Sequence, residues 1–154
     1  MDLRTLNILT SHVARAKGYD DAAAIVSAVK RQPLGVAPRA VTHNILLDAL
    51  LKAGRVDEAL EYFYGVAAEA AREPREQQRQ HRARAARPPP PMLDSTTYDI
   101  LLSGLVQNGR VSTAGVVHQM MGKAGLPPTI YTFAALVRLQ KSASDVYRLW
   151  AQAR

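Results

Sequence analysis

The sequence predicts an all-α protein: a right-handed superhelical solenoid of about three and a half helix-turn-helix repeats. Three observations predict it. First, the chain repeats itself. Thr5-Leu6-Asn7-Ile8-Leu9, Thr42-His43-Asn44-Ile45-Leu46, Thr97-Tyr98-Asp99-Ile100-Leu101 and Thr132-Phe133-Ala134-Ala135-Leu136 match, at Thr-to-Thr spacings of 37, 55 and 35. Second, apolar residues recur at helical spacing after each match. Third, a glycine breaks each helical run at about its middle, at Gly18, Gly54 and Gly109. Glycine enters the left-handed conformation that ends helices at little cost.

The middle units carry the clearest copy. Leu46 to Val56 aligns with Leu101 to Val111, and seven of the eleven positions are identical or exchange one aliphatic for another. In the second unit Ile45, Leu46, Ala49 and Leu50 form the first stripe, and Val56, Ala59, Leu60 and Phe63 the second. In the third unit the second stripe is Val111, Ala114, Val117 and Met121. Thr96 and Asp99 have capping-box spacing at the start of that unit. Pro127-Pro128 is expected to stop its second helix. A lone hairpin cannot bury such stripes, so neighbours must stack. Leu46, Leu50, Leu60, Leu101, Leu105 and Val117 are the expected core. The units fall at about 3–39, 40–94, 95–129 and a partial 130–154, within a single domain over 1–154.

The spacing of 55 exceeds its neighbours because residues are inserted at about 70–93. The stretch 72–87 holds six Arg and two Glu, a net +4 within a chain total of +7. Pro88 to Pro91 then favour extended backbone. Gln, Arg, Ala and Pro without large apolar residues is the composition of a solvated loop. The functional alternative is an arginine arm in which Arg79, Arg82, Arg84 and Arg87 lie on phosphates, since guanidinium pairs with phosphate through two bonds at once. Acidic protein surfaces suit the same arm.

Composition excludes several classes. The chain of 154 residues has no cysteine, so disulfide scaffolds, thiol nucleophiles and cysteine-built zinc or iron–sulfur sites are out. No apolar run has the roughly 18 residues of a membrane span, so no membrane insertion is expected. The start, Met1-Asp2-Leu3-Arg4, has no apolar signal segment and no long Arg/Ser-rich presequence. Either none is needed or the chain is part of a longer mature protein. His12, His43, His81 and His118 are scattered, and no glycine-rich phosphate loop precedes a helix. A partly buried packing role is expected for His43. No enzyme activity, cofactor, metal or small-molecule substrate is predicted.

The segment Val41-Thr42-His43-Asn44 through Lys52-Ala53-Gly54-Arg55-Val56-Asp57-Glu58-Ala59-Leu60-Glu61-Tyr62-Phe63 resembles the pentatricopeptide repeat family. So do Thr97 through Arg110 and Pro127-Pro128-Thr129-Ile130-Tyr131-Thr132-Phe133. The Trp and Leu-Gly of the tetratricopeptide relative are absent. The resemblance implies binding of single-stranded RNA in a mitochondrion or chloroplast, about one base per repeat. It places base-edge contacts at Asn7, Asn44, Asp99 and Ala134, the first three together with the residues closing their repeats: Arg39, Asp94 and Thr129. It places base-packing contacts at Arg4, Val41, Thr96 and Tyr131. Only Asn44 with Asp94 is a familiar pairing in the family, one that favours uridine. One good pair, worth roughly 1–3 kcal/mol, cannot select one site among many transcripts. The resemblance therefore implies an RNA-associated adaptor in a larger assembly, an organellar ribosome first among candidates, with single-stranded or ribosomal RNA and neighbouring proteins as partners. The alternatives are a protein–protein scaffold in an organellar membrane complex and a fragment of a longer transcript-processing factor.

Overall fold

The computed structural model describes residues 2–31, 37–72 and 92–139. The described residues form seven helices and no strand. They are α1 (Leu3–Ala16), α2 (Tyr19–Lys30), α3 (Ala40–Lys52), α4 (Val56–Arg72), α5 (Ser95–Gln107), α6 (Val111–Lys123) and α7 (Ile130–Leu139). The chain divides into two compact units, Met1–Asp94 and Ser95–Arg154. The division falls at the start of the third repeat.

In the first unit α1 packs on α2 and on α3, and α3 packs on α4 and α2. Helical periodicity places Leu6, Ala22, Val26, Val29 and Leu46 in one buried cluster, with Val13, Tyr19, Ala23, Ile25 and Tyr62 against it. Leu46 belongs to the second hairpin but completes the core of the first, as stacking requires. In the second unit α5 packs on α6 and on α7. Leu101, Leu102, Leu105, Ala114, Val117 and Met121 are buried there.

Local chemistry sets the helix ends. The Asp2 carboxylate accepts the Thr5 amide at 2.7 Å and caps α1. At the other ends one arrangement recurs. Gly54 (φ +73°) donates to the Leu51 carbonyl, and Arg55 donates to the Leu50 carbonyl at 3.0 Å. Gly109 and Arg110 repeat this on Val106 and Leu105, and Gly125 and Leu126 repeat it on Gly122 and Met121. Two reversed bonds thereby satisfy carbonyls that the helix leaves open. Gly125 ends α6 before Pro127-Pro128, so the expected proline stop is corrected: the glycine cap acts first.

Two further expectations are corrected. Leu60 is only half-buried, because Val56, Ala59, Phe63 and Val66 form the inward face of α4. Val111 is 50 % exposed at the first residue of α6. The other proposed core leucines, and Val117, are fully enclosed.

Arg55 ties the hairpins of the first unit at their surface. It forks onto Glu58 at 2.6 and 2.7 Å, reaches Asp20 of the preceding hairpin at 2.8 Å, and lies 5.3 Å over the Tyr19 ring. The guanidinium holds the Glu58 carboxyl below the usual carboxylate range. In the third repeat Thr113 stands where Glu58 stands in the second, so the Arg–Glu fork is not copied there.

Leu50→Asp and Leu105→Asp should each unfold the unit they occupy. Each puts an unpaired charge where no water reaches, at a cost of several kcal/mol, into a stack with few neighbours. Circular dichroism and thermal melting of the two variants check this; unchanged melting in both would contradict the stacking.

Candidate nucleic-acid interface

The first helix of each repeat positions the residues of interest. Arg39, Asp94 and Thr129 each stand immediately before such a helix. Thr129 caps α7: its hydroxyl accepts the Tyr131 and Thr132 amides at 3.1 and 3.3 Å. Arg39 precedes α3 in extended backbone with no side-chain bond to the helix start.

The residues at the base-edge positions are turned toward the start of the next repeat. Asn7 accepts the Thr42 hydroxyl at 2.6 Å. Asn44 donates through Nδ2 to Asp94 at 3.3 Å, and its own Oδ1 is buried without a partner. Asp99 accepts Thr129 at 2.6 Å on one oxygen and Thr132 on the other. The capping box expected for Thr96 and Asp99 is thereby corrected: both Asp99 oxygens serve the following helix. Ala134 is exposed and offers no polar group.

The structure thus brings Asn44 to Asp94, and Asp99 to Thr129. Asn7 takes Thr42 on its carbonyl oxygen. The four proposed packing positions, Arg4, Val41, Thr96 and Tyr131, are all exposed, Val41 at 53 % and Tyr131 at 68 %. Arg79, Arg82, Arg84 and Arg87, with the rest of the insertion from 73 to 91, lie outside the described residues. So does the partial last repeat beyond 139.

Sequence reasoning missed the threonines as functional groups. Thr42 and Thr132 are buried and donate to the repeat before them. Their recurrence at one register in all four units was the signal that could have found them. It also missed Tyr62, whose hydroxyl meets His43 Nδ1 at 2.8 Å. Burial lowers the His43 pKa to about 4, with Lys30 and Arg39 acting in the same direction and Glu69 against it. The ring is therefore neutral at pH 7. Burial also pushes the Tyr62 hydroxyl up, so it stays a phenol.

Among the described residues no group of three or more His, Asp or Glu could hold a metal ion. Among them, too, no helix is long and apolar enough to cross a membrane.

Two-helix units stacked through their first helices define the class: an all-α helical-repeat solenoid. The family follows from direct comparison. The model described as PPR repeat matches residues 41–65, and the pentatricopeptide repeat domain model matches residues 92–140. Over these two segments the chain carries pentatricopeptide repeats. Its fold is similar to the crystal structure of the pentatricopeptide repeat protein PPR10 from maize, with TM-score 0.64 and 21 % identity, over 99 % of this chain and 19 % of that one. PPR10 in complex with an 18-nt psaJ RNA element matches with TM-score 0.64 and 23 % identity, over 99 % of this chain and 20 % of that one. The chain spans about a fifth of the length of these structures. Comparison with curated proteins gave no match.

Two outcomes follow from the geometry. Asp99→Ala strips the acceptor from Thr129 and from buried Thr132, and should destabilise the second unit by about 1–3 kcal/mol, while Asp99→Asn should cost less. Denaturant unfolding of both variants measures this. His43 sets a pH slope. Its pKa is lower in the folded state than in the unfolded chain, so the unfolded state binds the extra proton. Stability should be constant above about pH 6.5 and fall on the order of 2–3 kcal/mol as pH drops toward 4. Melting across that range for wild type and His43→Phe checks it, since the variant should lose this part of the slope.

Proposed function

We propose that this chain is a non-enzymatic, RNA-associated adaptor, a subunit or accessory of a ribonucleoprotein in a mitochondrion or chloroplast, with an organellar ribosome the first candidate. The observation that carries the reading is the pair Asn44 and Asp94. Their side chains meet at 3.3 Å, and exposed Val41 lies one turn earlier on the same helix. In this reading a base edge meets the pair while its face rests on the valine. The RNA complex of PPR10, similar in fold, supports the choice of ligand.

The other repeats argue for association rather than sequence choice. Asp99 is occupied by Thr129 and Thr132, Asn7 by Thr42, and Ala134 has nothing to offer. Affinity then comes from phosphate contacts, which carry no sequence information. The six Arg of the insertion supply the charge for them.

A second reading, a protein–protein scaffold in an organellar membrane complex, draws on one observation. Along α7 Ile130, Tyr131 and Val137 are exposed together, the kind of surface that partners cover.

RNA binding at several salt concentrations separates the two. Replacing Arg79, Arg82, Arg84 and Arg87 with Gln should weaken all RNAs about equally. It should flatten the slope of log affinity against log salt by roughly 0.7 for each phosphate that is no longer neutralised. Asn44→Ala should leave that slope unchanged and act at one base. An unchanged slope in the four-Arg variant would remove the arm from the reading. No binding by wild type at low salt would favour the scaffold.

A further inference from the structure

An amide side chain has two unlike ends, an oxygen that accepts and a nitrogen that donates. Turned over, it presents the other end, so a free asparagine beside a base can meet either a donor or an acceptor. Asn7 is not free. Thr42, on the first helix of the following repeat, is fully enclosed and gives its hydroxyl proton to Asn7 Oδ1 at 2.6 Å. The same register at the boundary between the third and fourth repeats supports that direction. There Thr132 meets Asp99, and a carboxylate only accepts, so the threonine is the donor. A flipped Asn7 would turn its N–H groups on the Thr42 hydroxyl, and an enclosed proton would lose its acceptor. Thr42 therefore holds the amide with its oxygen toward the following repeat and its nitrogen away from it. Asn7 is half-buried. Among the described residues its Nδ2 meets no acceptor, and it is not one of the enclosed atoms without a partner, so water reaches it.

We propose that Thr42 is a positioning residue for RNA recognition: it locks the Asn7 amide so that this side chain offers a base only hydrogen-bond donors. The first repeat then takes a base whose facing edge carries an acceptor, a carbonyl oxygen or an unprotonated ring nitrogen. The inference rests on the RNA reading above and deepens it, because a residue of one repeat decides what the repeat before it can read. Asn7 is occupied at one atom and open at the other. Asp99 is the contrast: Thr129 and Thr132 take one oxygen each, and a carboxylate has no second kind of group to present. Exposed Arg4 lies one turn before Asn7 on α1, and its planar guanidinium suits the face of the same base.

The test mixes the full chain at low salt with single-stranded RNA of randomised sequence and reads the bound RNA by sequencing. Wild type should show base preferences at two adjacent positions, and Asn44→Ala should abolish one of them, which marks the other as the base at Asn7. Thr42→Val keeps the shape of the side chain and removes the hydroxyl. It should lower the preference at the Asn7 base by about fivefold and leave the Asn44 base and the total RNA affinity unchanged. Thr42→Ser restores the hydroxyl and should restore the preference, which a role in packing alone would not do. Asn7→Asp keeps an acceptor for Thr42 but presents an oxygen in place of the nitrogen, so a different base should be selected at that position alone. This variant carries the test should Thr42→Val lose its helical signal. A preference at the Asn7 base that survives Thr42→Val in a folded chain would overturn the proposal while leaving the RNA reading intact. So would an unchanged base in Asn7→Asp. If wild type retains no RNA, both fall together.

Discussion

Stacking of one helical hairpin on the next is the constraint from which the rest follows. A hairpin of about 35 residues has an apolar stripe on each helix and no third element to cover both. Leu46 shows the solution, closing the core of the hairpin before its own. Apolar contact alone would let neighbouring helices slide. The threonine hydroxyls set the register: Thr42 finds Asn7, and Thr132 finds Asp99, each across one repeat boundary. These bonds are directional and enclosed, so a one-residue slip would leave a buried hydroxyl unpaired.

That register has a cost for recognition. The side chains that fix one repeat on the next occupy the positions from which this family would read bases. Asp99 cannot use both oxygens to hold Thr129 and Thr132 and also present them to a nucleotide. Asn44 differs in that Asp94 holds its amide nitrogen while its oxygen, enclosed, has no partner.

Much of the fold was legible because repetition shows each element more than once. The glycine breaks, the leucine core and the hairpin order were readable from Leu46–Val56 set against Leu101–Val111. What escaped was three-dimensional. Leu60 fits the helical period, yet the inward arc of α4 runs through Ala59 and Phe63. Pro127 looked like the stop signal, but Gly125 closes α6 two residues sooner. Asp99 has capping-box spacing from Thr96, but its partners lie some thirty residues on, at 129 and 132, which no local pattern reveals. The Gly-Arg-Val-Asp-Glu run was visible as a family mark; that Arg55 reaches back to Asp20 was not.

The glycine caps have a consequence for how such a chain varies over generations. A Cβ added at Gly109 or Gly125 would meet nothing within 4 Å, yet both residues sit at positive φ, +73° and +69°. Selection at these sites therefore acts on a backbone angle and not on space, and only residues at ease in that angle are admitted. Surrounding surface residues are under no such rule. Lineages of this protein would drift freely across the exposed faces while the punctuation between helices stayed fixed. The glycine spacing would then outlast most of the sequence between it as a trace of common descent.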